Sequence, residues 1–424
     1  MSNLFIFFIG QLFSGFAFEL FHSATAFYIL TSTGSPLKFS LAYALDNLPK
    51  MLFLQIAGYV TDKFDRKKLF VLIDLFQASF LFFVFYILSF HEVSVNTLLL
   101  LTFVAGSFKA FTYPATKAIV PMLAKDKKRM KASSFEISND KIARTLAPSV
   151  AILVFAKFGL KASVLTTAVI YVVASVVKMF LVVDYIEVKK ESLKETVANG
   201  FKSLFKNKLI VFAWINSVVS QFIFHPFLTQ VIPNVLKEFS KGVELNSFLK
   251  FIVKSLGGNF EDVYLSLSAL ISLASTAGVI ASLLYLQNNK RNVDWKRGMK
   301  ISTMLLMPSS LAISLSIIYL TSIGSGSAAS LALILFPINA IFYFMLNTYT
   351  VFFTFFYQEE VPKQNMGRFV ANLMTIFMFV KMLGHLFYGW MLSRGFALPV
   401  IVLISASLIK WIIFRMFERE LNTQ

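Results

Sequence analysis

Apolar stretches of twenty residues or more recur along the whole chain, each closed by a cluster of charges, glycine or proline. A helix rises 1.5 Å per residue, so about 20 apolar residues cross the hydrocarbon layer, and each stretch reads as a transmembrane helix. Twelve are predicted, at 4–30, 38–60, 69–90, 97–122, 132–156, 161–183, 209–236, 264–287, 301–321, 328–356, 369–392 and 398–417. Asp184 to Lys208 divides them into two groups of six. The expected organisation is a six-helix bundle over 1–183, a cytoplasmic linker over 184–208 and a second bundle over 209–424. In the linker, Leu193, Val197, Phe201, Leu204 and Phe205 recur at helical spacing while Lys194, Lys202 and Lys206 face elsewhere. That pattern suits an amphipathic helix on the membrane surface, or a plain solvated connector.

Composition agrees. Of 424 residues, 57% are hydrophobic and 15% charged, whereas soluble domains hold about 45–50% and about 25%. The expected fold class is therefore an all-α membrane protein. The 49 Phe are read as lipid-facing bulk. A formal charge of +18 would fit nucleic acid, but its placement points to the membrane. Lys63 to Lys68, Lys125 to Lys131, Lys189 to Lys208, Lys290 to Lys300, Lys363, Arg368, Lys410, Arg415 and Arg419 fall on one side. Lys38, Lys157, Lys161, Lys237, Lys241, Lys250, Lys254 and Arg394 fall on the other. This bias of roughly three to one puts both termini in the cytoplasm of a multi-pass plasma (inner) membrane protein. The first span begins close to Met1 and has no small-residue cleavage site, so it reads as a retained helix. There is no cysteine, and His22, His91, His225 and His385 show no H-x-x-x-H spacing. Disulfides and thiolate chemistry are excluded on these grounds, and a dedicated metal site is not expected. The absence of a P-loop, G-x-S-x-G and H-E-x-x-H argues against ATP drive and an intramembrane enzyme. No cofactor and no nucleic acid are expected, and a monomer is.

A charge at mid-bilayer costs about 2.5–3.5 kcal/mol on insertion scales, so each should face a partner or a watery cavity. On span 2, Asp46 and Lys50 are one turn apart. On span 5, Glu136, Asp140 and Arg144 share a face, with Lys141 beside it. Span 4 carries Lys109, Tyr113 and Lys117 on one stripe, and span 1 carries Gln11, Glu19 and His22. By rise per residue, Glu19 and Asp46 fall in the outer half, Lys50, Lys109 and Arg144 near the middle, Glu136 and Lys117 near the inner end. Proton coupling requires a carboxylate whose proton affinity changes as water or a cation reaches it. Glu19 is the first candidate, having no base within a turn on its own helix; Asp140 is second, with Arg144 as modulator, and Asp46 and Glu136 follow. The same spacings suit static ion pairs. His22 suits a proton relay or a hydrogen-bonded structural role. Asp74 is expected to brace the basic loop at Lys63 to Lys68.

The second half differs. Its one deep charge is expected to be Lys381, with His385 a turn on. Span 7 offers Trp214, Gln221 and His225, and span 10 offers Asn339, Tyr343 and Asn347 at successive turns. Such rows suit an amphipathic organic ligand, or polar helix packing. The expected substrate-binding set is Gln11, Lys109, Tyr113, Arg144, Gln221, Asn339, Tyr343 and Asn347. The buried bases also admit a substrate with an acidic moiety. Pro226, Pro233 and Pro337 are expected to break spans 7 and 10 where gates bend.

After span 2 the chain reads Gly58-Tyr59-Val60-Thr61-Asp62-Lys63-Phe64-Asp65-Arg66-Lys67-Lys68. This resembles the G-x-x-x-D-[RK]-x-[GD]-R-[RK] signature of the major facilitator superfamily. Gly10-Gln11-Leu12, Thr33-Gly34-Ser35-Pro36, Gly200-x-x-x-Leu204-x-x-Asn207-Lys208 and Gln358-Glu359-Glu360-Val361 followed by Met366-Gly367-Arg368 are similar to the macrolide-efflux and enterobactin-exporter-like permeases. The resemblance implies helices 1, 4, 7 and 10 around a cavity and helices 2, 5, 8 and 11 along the seam between halves. It also implies a gate in which Gly58, Asp62 and Arg66 meet the start of helix 11 at Gly367 and Arg368 and lock an outward-open state. Two departures stand out. Ala147-Pro148-Ser149-Val150-Ala151 replaces the glycine-rich antiporter motif of helix 5, and Asn288 to Lys300 lacks a second D-R-x-G-R pattern.

Six plus six spans with a cytoplasmic connector point to a duplicated transporter whose halves rock about a midplane site. The expected function is proton-coupled export of an amphipathic organic compound, a drug or a metabolite, by alternating access. The alternative is a lipid or lysolipid flippase, or a proton-independent facilitator, of the same fold. Protons, a small-molecule substrate and membrane lipids are the expected partners.

Overall fold

The computed structural model describes residues 3–123, 127–183, 208–239, 263–288, 295–323, 328–360 and 366–423, which form helices joined by short turns with no strand among them. In chain order these are α1 (Asn3–Thr33), α2 (Pro36–Lys63), α3 (Arg66–Phe90) and α4 (Val95–Leu123). The run Lys127–Met179 carries Gly159 at φ 77°, ψ −177°, a backbone geometry open to glycine. It is therefore two helices, α5 (127–158) and α6 (160–179). The second half holds α7 (Lys208–Phe239), α8 (Val263–Asn288), α9 (Trp295–Ile323), α10 (Ala328–Glu360), α11 (Met366–Leu392) and α12 (Ala397–Thr423). Among the described residues twelve helices stand where twelve spans are predicted.

Local signals account for the turns. Gly34 at φ 64° ends α1, Ser35 caps α2 by accepting from the Lys38 N–H, and Pro36 fills the first turn. Asp65 caps α3, its Oδ1 accepting from the Lys68 N–H at 3.1 Å. Among the described residues ten helical stretches are long and apolar enough to cross a membrane, one of them holding both α5 and α6. α2 is absent from that set because Asp46, Asn47, Pro49, Lys50 and Gln55 dilute it. Asp46, Asn47 and Lys50 are nevertheless buried, which shows that this helix turns its polar face to protein.

α1 packs along the α5–α6 run and α2 along α4; α8 packs on α10, and α9 on α10 and α12. Two seams join the halves, α2 with α11 and the α5–α6 run with α8. At the end away from both termini the halves share one core, in which Phe27, Leu30, Phe39 and Tyr43 meet Phe224, Phe227, Leu236 and Tyr388. Lys237 Nζ donates across it to the Leu30 carbonyl at 2.6 Å, and a Cβ on Gly389 of α11 would lie 2.5 Å from Ser40 Cβ of α2. At the terminal end the described residues form two separate cores. Phe7, Phe70, Ala115 and Ile119 belong to one, and Leu209, Phe352, Phe369 and Phe417 to the other. A Cβ on Gly58 would meet nothing within 4 Å. The halves thus share a core at one end, and toward the other Gln55 Nε2 of α2 still donates to Asn372 Oδ1 of α11 at 3.2 Å.

One expectation about the helices needs correction. π-helical turns at Ser220–Phe224 and Phe227–Val231 flank Pro226 in α7, but α10 runs through Pro337 as one helix. The linker helix at 184–208 lies outside the described residues except for Lys208, which opens α7.

Candidate functional site

The densest charge cluster lies where α1 faces α5. Arg144 Nε donates to Asp140 Oδ2 at 2.8 Å, one turn away on α5, and Arg144 Nη1 stands 3.3 Å from Glu19 Oε1 of α1. Glu19 therefore has a base after all, supplied by another helix. One guanidinium serves two carboxylates, so the triad carries one acid in excess. Its side chains are not fully enclosed: 15% of Glu19, 29% of Arg144 and 41% of Asp140 is exposed. Lys109 of α4 is within electrostatic range of all three, and Lys381 of α11, from the other half, is within range of Arg144 and Glu19. That shared neighbourhood sets the triad on the inner seam. Glu136 is buried on α5 one turn before Asp140. Gln11 of α1 has its Oε1 buried and without a hydrogen bond.

A second network crosses α2. Lys50 Nζ donates to Asp46 Oδ2 at 2.7 Å, as the spacing predicts, and His22 Nε2 lies 4.0 Å from the same oxygen. Lys50 and Lys109 both stand over the Phe18 ring, 4.5 and 5.1 Å from its centroid. His22 meets the Tyr43 ring edge-on at 4.7 Å. Tyr43 stacks on His385 of α11 at 5.1 Å, and His385 meets His225 of α7 at 5.4 Å. Gln230 Nε2 lies 2.6 Å from His385 Nδ1, while Ser40 Oγ donates to Gln230 Oε1 at 2.9 Å. Three of the chain's four histidines thus gather with Tyr43 at the closed end of the seam. Sequence spacing holds no sign of this, because each histidine sits on a different helix.

The remaining expected substrate residues divide. Tyr343 is half-buried, with its hydroxyl beside Ser275, and is within electrostatic range of Tyr43. Gln221 lies in the first π-helical turn of α7. Tyr113 is half-buried on α4. Asn339 and Asn347 are turned into the α8–α10 contact instead. Asn339 Nδ2 donates to Ser275 Oγ at 2.7 Å and to the Ile271 carbonyl at 3.0 Å, and Asn347 Nδ2 to Ser282 Oγ at 3.2 Å. In the gate, Gly58 stands open as described, and Arg66 Nη1 reaches Met122 Sδ at 3.6 Å. The side chains of Asp62, Arg368 and Lys117 lie outside the described set, and Gly367 is placed in the first turn of α11 by its backbone alone.

Two charges sit elsewhere than expected. Asp74 does not brace the basic loop: its Oδ2 takes Lys178 Nζ of α6 at 2.6 Å and the Ser14 hydroxyl of α1 at 2.6 Å. Both charges are fully enclosed. The Lys178 ammonium stands over Phe70, and a Cβ on Gly10 would strike its stem, 2.7 Å from Cγ. Lys410 is not a cytoplasmic charge, and Lys381 is not alone in its half. Lys410 is 2% exposed inside the second bundle. Its Nζ donates to Asn216 Oδ1, to Ser220 Oγ at 2.7 Å and to the Asn216 carbonyl at 3.2 Å, over the Tyr349 ring. Those acceptors lie at and just before the first π-helical turn, which the lysine braces.

A twelve-helix, two-bundle membrane protein with a charged internal seam is a secondary transporter fold. The family model of the Major Facilitator Superfamily matches residues 7–385, and the chain belongs to that superfamily. It is similar to Macrolide efflux protein A of Streptococcus pyogenes, 22% identical over 290 residues, 65% of this chain and 71% of that one. Macrolide efflux protein A of Enterococcus faecalis is 22% identical over 266 residues, 59% of this chain and 82% of its own length. Among solved structures, nucleoside transporter NupG superposes with a TM-score of 0.63 at 14% identity, covering 99% of both chains. A bacterial homologue of the iron transporter ferroportin, in an outward-facing state, superposes at 0.65 and 13%, covering 99% and 100%. The protein is a multi-pass membrane transporter of small molecules, and the structural likeness speaks for its fold.

Proposed function

We propose that the protein exports an amphipathic organic compound in exchange for protons. The observation that carries this reading is Arg144 held between Glu19 and Asp140 in a partly open seam. With one cation between two carboxylates, a proton on either acid leaves the other in a neutral pair, so loading the site changes its charge without dismantling it. Asp46, with Lys50 and His22, and Glu136 flank this exchange. Gln11, Lys109, Tyr113, Gln221 and Tyr343 face the compound, while Asn339 and Asn347 hold α10 to α8. The export direction follows the name of the Streptococcus and Enterococcus relatives.

In this reading residues 1–183 and 209–424 are the rocking bodies of a monomer in the plasma membrane. Both termini lie inside, on the evidence of the Lys and Arg bias. The shared core then seals the outer face. The gate of Gly58, Asp62 and Arg66 against Gly367 and Arg368 closes in the opposite, outward-open state. Everted vesicles with a pH-sensitive dye test the coupling: substrate should collapse the proton gradient, and Glu19→Gln should lose that response at normal abundance. Unchanged proton flux in the mutant removes Glu19 from the mechanism. Substrate movement without proton flux in the unmodified protein favours the facilitator or flippase reading.

A further inference from the structure

We propose that the transported compound carries an acidic group, and that Lys109 from the first six helices and Lys381 from the last six hold it between them. This rests on the transport reading and names its substrate class.

Each of the triad and α2 acids already touches a cation, with Glu19 and Asp140 sharing one. Asp46 takes Lys50 at 2.7 Å, and Arg144 serves both Asp140 and Glu19. Two central lysines are left over. Lys381 is 7% exposed, and neither it nor Lys109 forms a hydrogen bond or ion pair among the described residues; Lys109 has only the Phe18 ring, 5.1 Å away. Lys141 on α5, half-buried and in range of Asp140 and Arg144, adds a third base. Both central lysines lie more than ten residues from either end of α4 or α11. That is roughly 15 Å or more of helix, beyond what a lysine stem spans by snorkelling.

The other deep lysines show what a structural lysine looks like in this protein. Lys178 has Asp74 and Phe70; Lys410 has Asn216, Ser220 and Tyr349. Lys109 and Lys381 lack any such set, yet both lie in range of Arg144, Glu19 and Lys50. Lys109 shares the Phe18 ring with Lys50 of α2, and Lys381 lies one turn before His385, which stacks on Tyr43 of α2 at 5.1 Å, so the two lysines reach the same stretch of seam from opposite bundles. A carboxylate, sulfonate or phosphate entering there accepts charge-assisted hydrogen bonds from both ammonium groups. Tyr343, half-buried and within range of Tyr43, supplies apolar surface for the rest of the molecule. Because the two donors belong to different halves, the ligand also links them. Empty, the seam sets Lys381 against Arg144 and Lys50 with like charge; filled, it joins the bundles through the anion.

The test uses the full-length purified protein, three anionic amphiphiles (1-naphthylacetate, taurocholate and 1-naphthyl phosphate) and a lipophilic cation, tetraphenylphosphonium. Binding is read as ligand-induced thermal stabilisation and transport as flux in proteoliposomes. At least one anion should bind more tightly than the cation. Lys109→Gln and Lys381→Gln should each weaken it by about tenfold or more, with Lys→Arg at either position restoring most of the affinity. Each variant's melting point without ligand reports whether the fold is intact. Binding of no anion, or anion binding untouched by both glutamine variants, overturns the inference. If the cation alone is bound and exported, the exporter reading stands and the acidic-substrate inference falls. If an anion binds through the two lysines without being moved, the binding site stands and the transport reading falls.

Discussion

The first six helices hold two clusters of buried charge that differ in their surroundings. Asp74 and Lys178 form a pair with no exposed surface, closed in by Ser14, Phe70 and the space left by Gly10. Glu19, Arg144 and Asp140 form an unequal triad whose members keep 15%, 29% and 41% of their side-chain surface. The pair is balanced and dry, so changing its protonation would strand a charge in a low dielectric; it serves to join α1, α3 and α6. The triad sets two acids on one cation and is not fully enclosed, which in the proposed reading lets it change state. Equal residue types in one bundle thus differ in stoichiometry and exposure, and on that difference the proposed function assigns one cluster to the scaffold and the other to the mechanism.

Breaking the scaffold pair should have the largest effect. Asp74→Asn leaves the Lys178 ammonium enclosed without its counter-charge, a loss of about 3–5 kcal/mol. It should appear as a sharp fall in membrane abundance and melting temperature, and Asp74→Leu with Lys178→Met should recover most of it. A melting point unchanged by Asp74→Asn would show that the pair is not the brace described. The triad should respond in the opposite manner. Arg144→Gln leaves two acids that water can still reach, so its effect on stability should stay near 1 kcal/mol. Transport should nevertheless fall by about tenfold or more, the pattern of an interaction used in the working cycle. Equal losses of stability and transport in this variant would erase the contrast.

The helices themselves were plain in the sequence, because a span needs only length and apolar character. Even α2 was legible, although Asp46, Asn47 and Lys50 lower its hydropathy, since its flanks are apolar. Contacts within one helix were legible for the same reason: Asp46 with Lys50 and Asp140 with Arg144 follow from 3.6 residues per turn. Contacts between helices were not. The meeting of Arg144 with Glu19, of Asp74 with Lys178 and of His22 with Tyr43, His385 and His225 depends on helix rotation and depth, which no linear spacing records. Lys410 shows the limit sharply. A lysine in the later part of the last span counts as a cytoplasmic anchor by position, yet it sits midway along α12, where Asn216 and Ser220 take it into the bundle.

The contrast between a sealed pair and a watered triad can be measured directly, since the chain has no cysteine and any introduced thiol is unique. The probe positions are Asp140→Cys in the triad and Ser14→Cys beside Asp74, each exposed in everted vesicles to a charged, membrane-impermeant thiol reagent that needs water and thiolate to react. The thiol at 140 should label within about tenfold of the rate of one placed in the exposed turn at Phe64, and the thiol at 14 should remain unlabelled. An inert thiol at 140, or a thiol at 14 that labels as fast, would contradict the account.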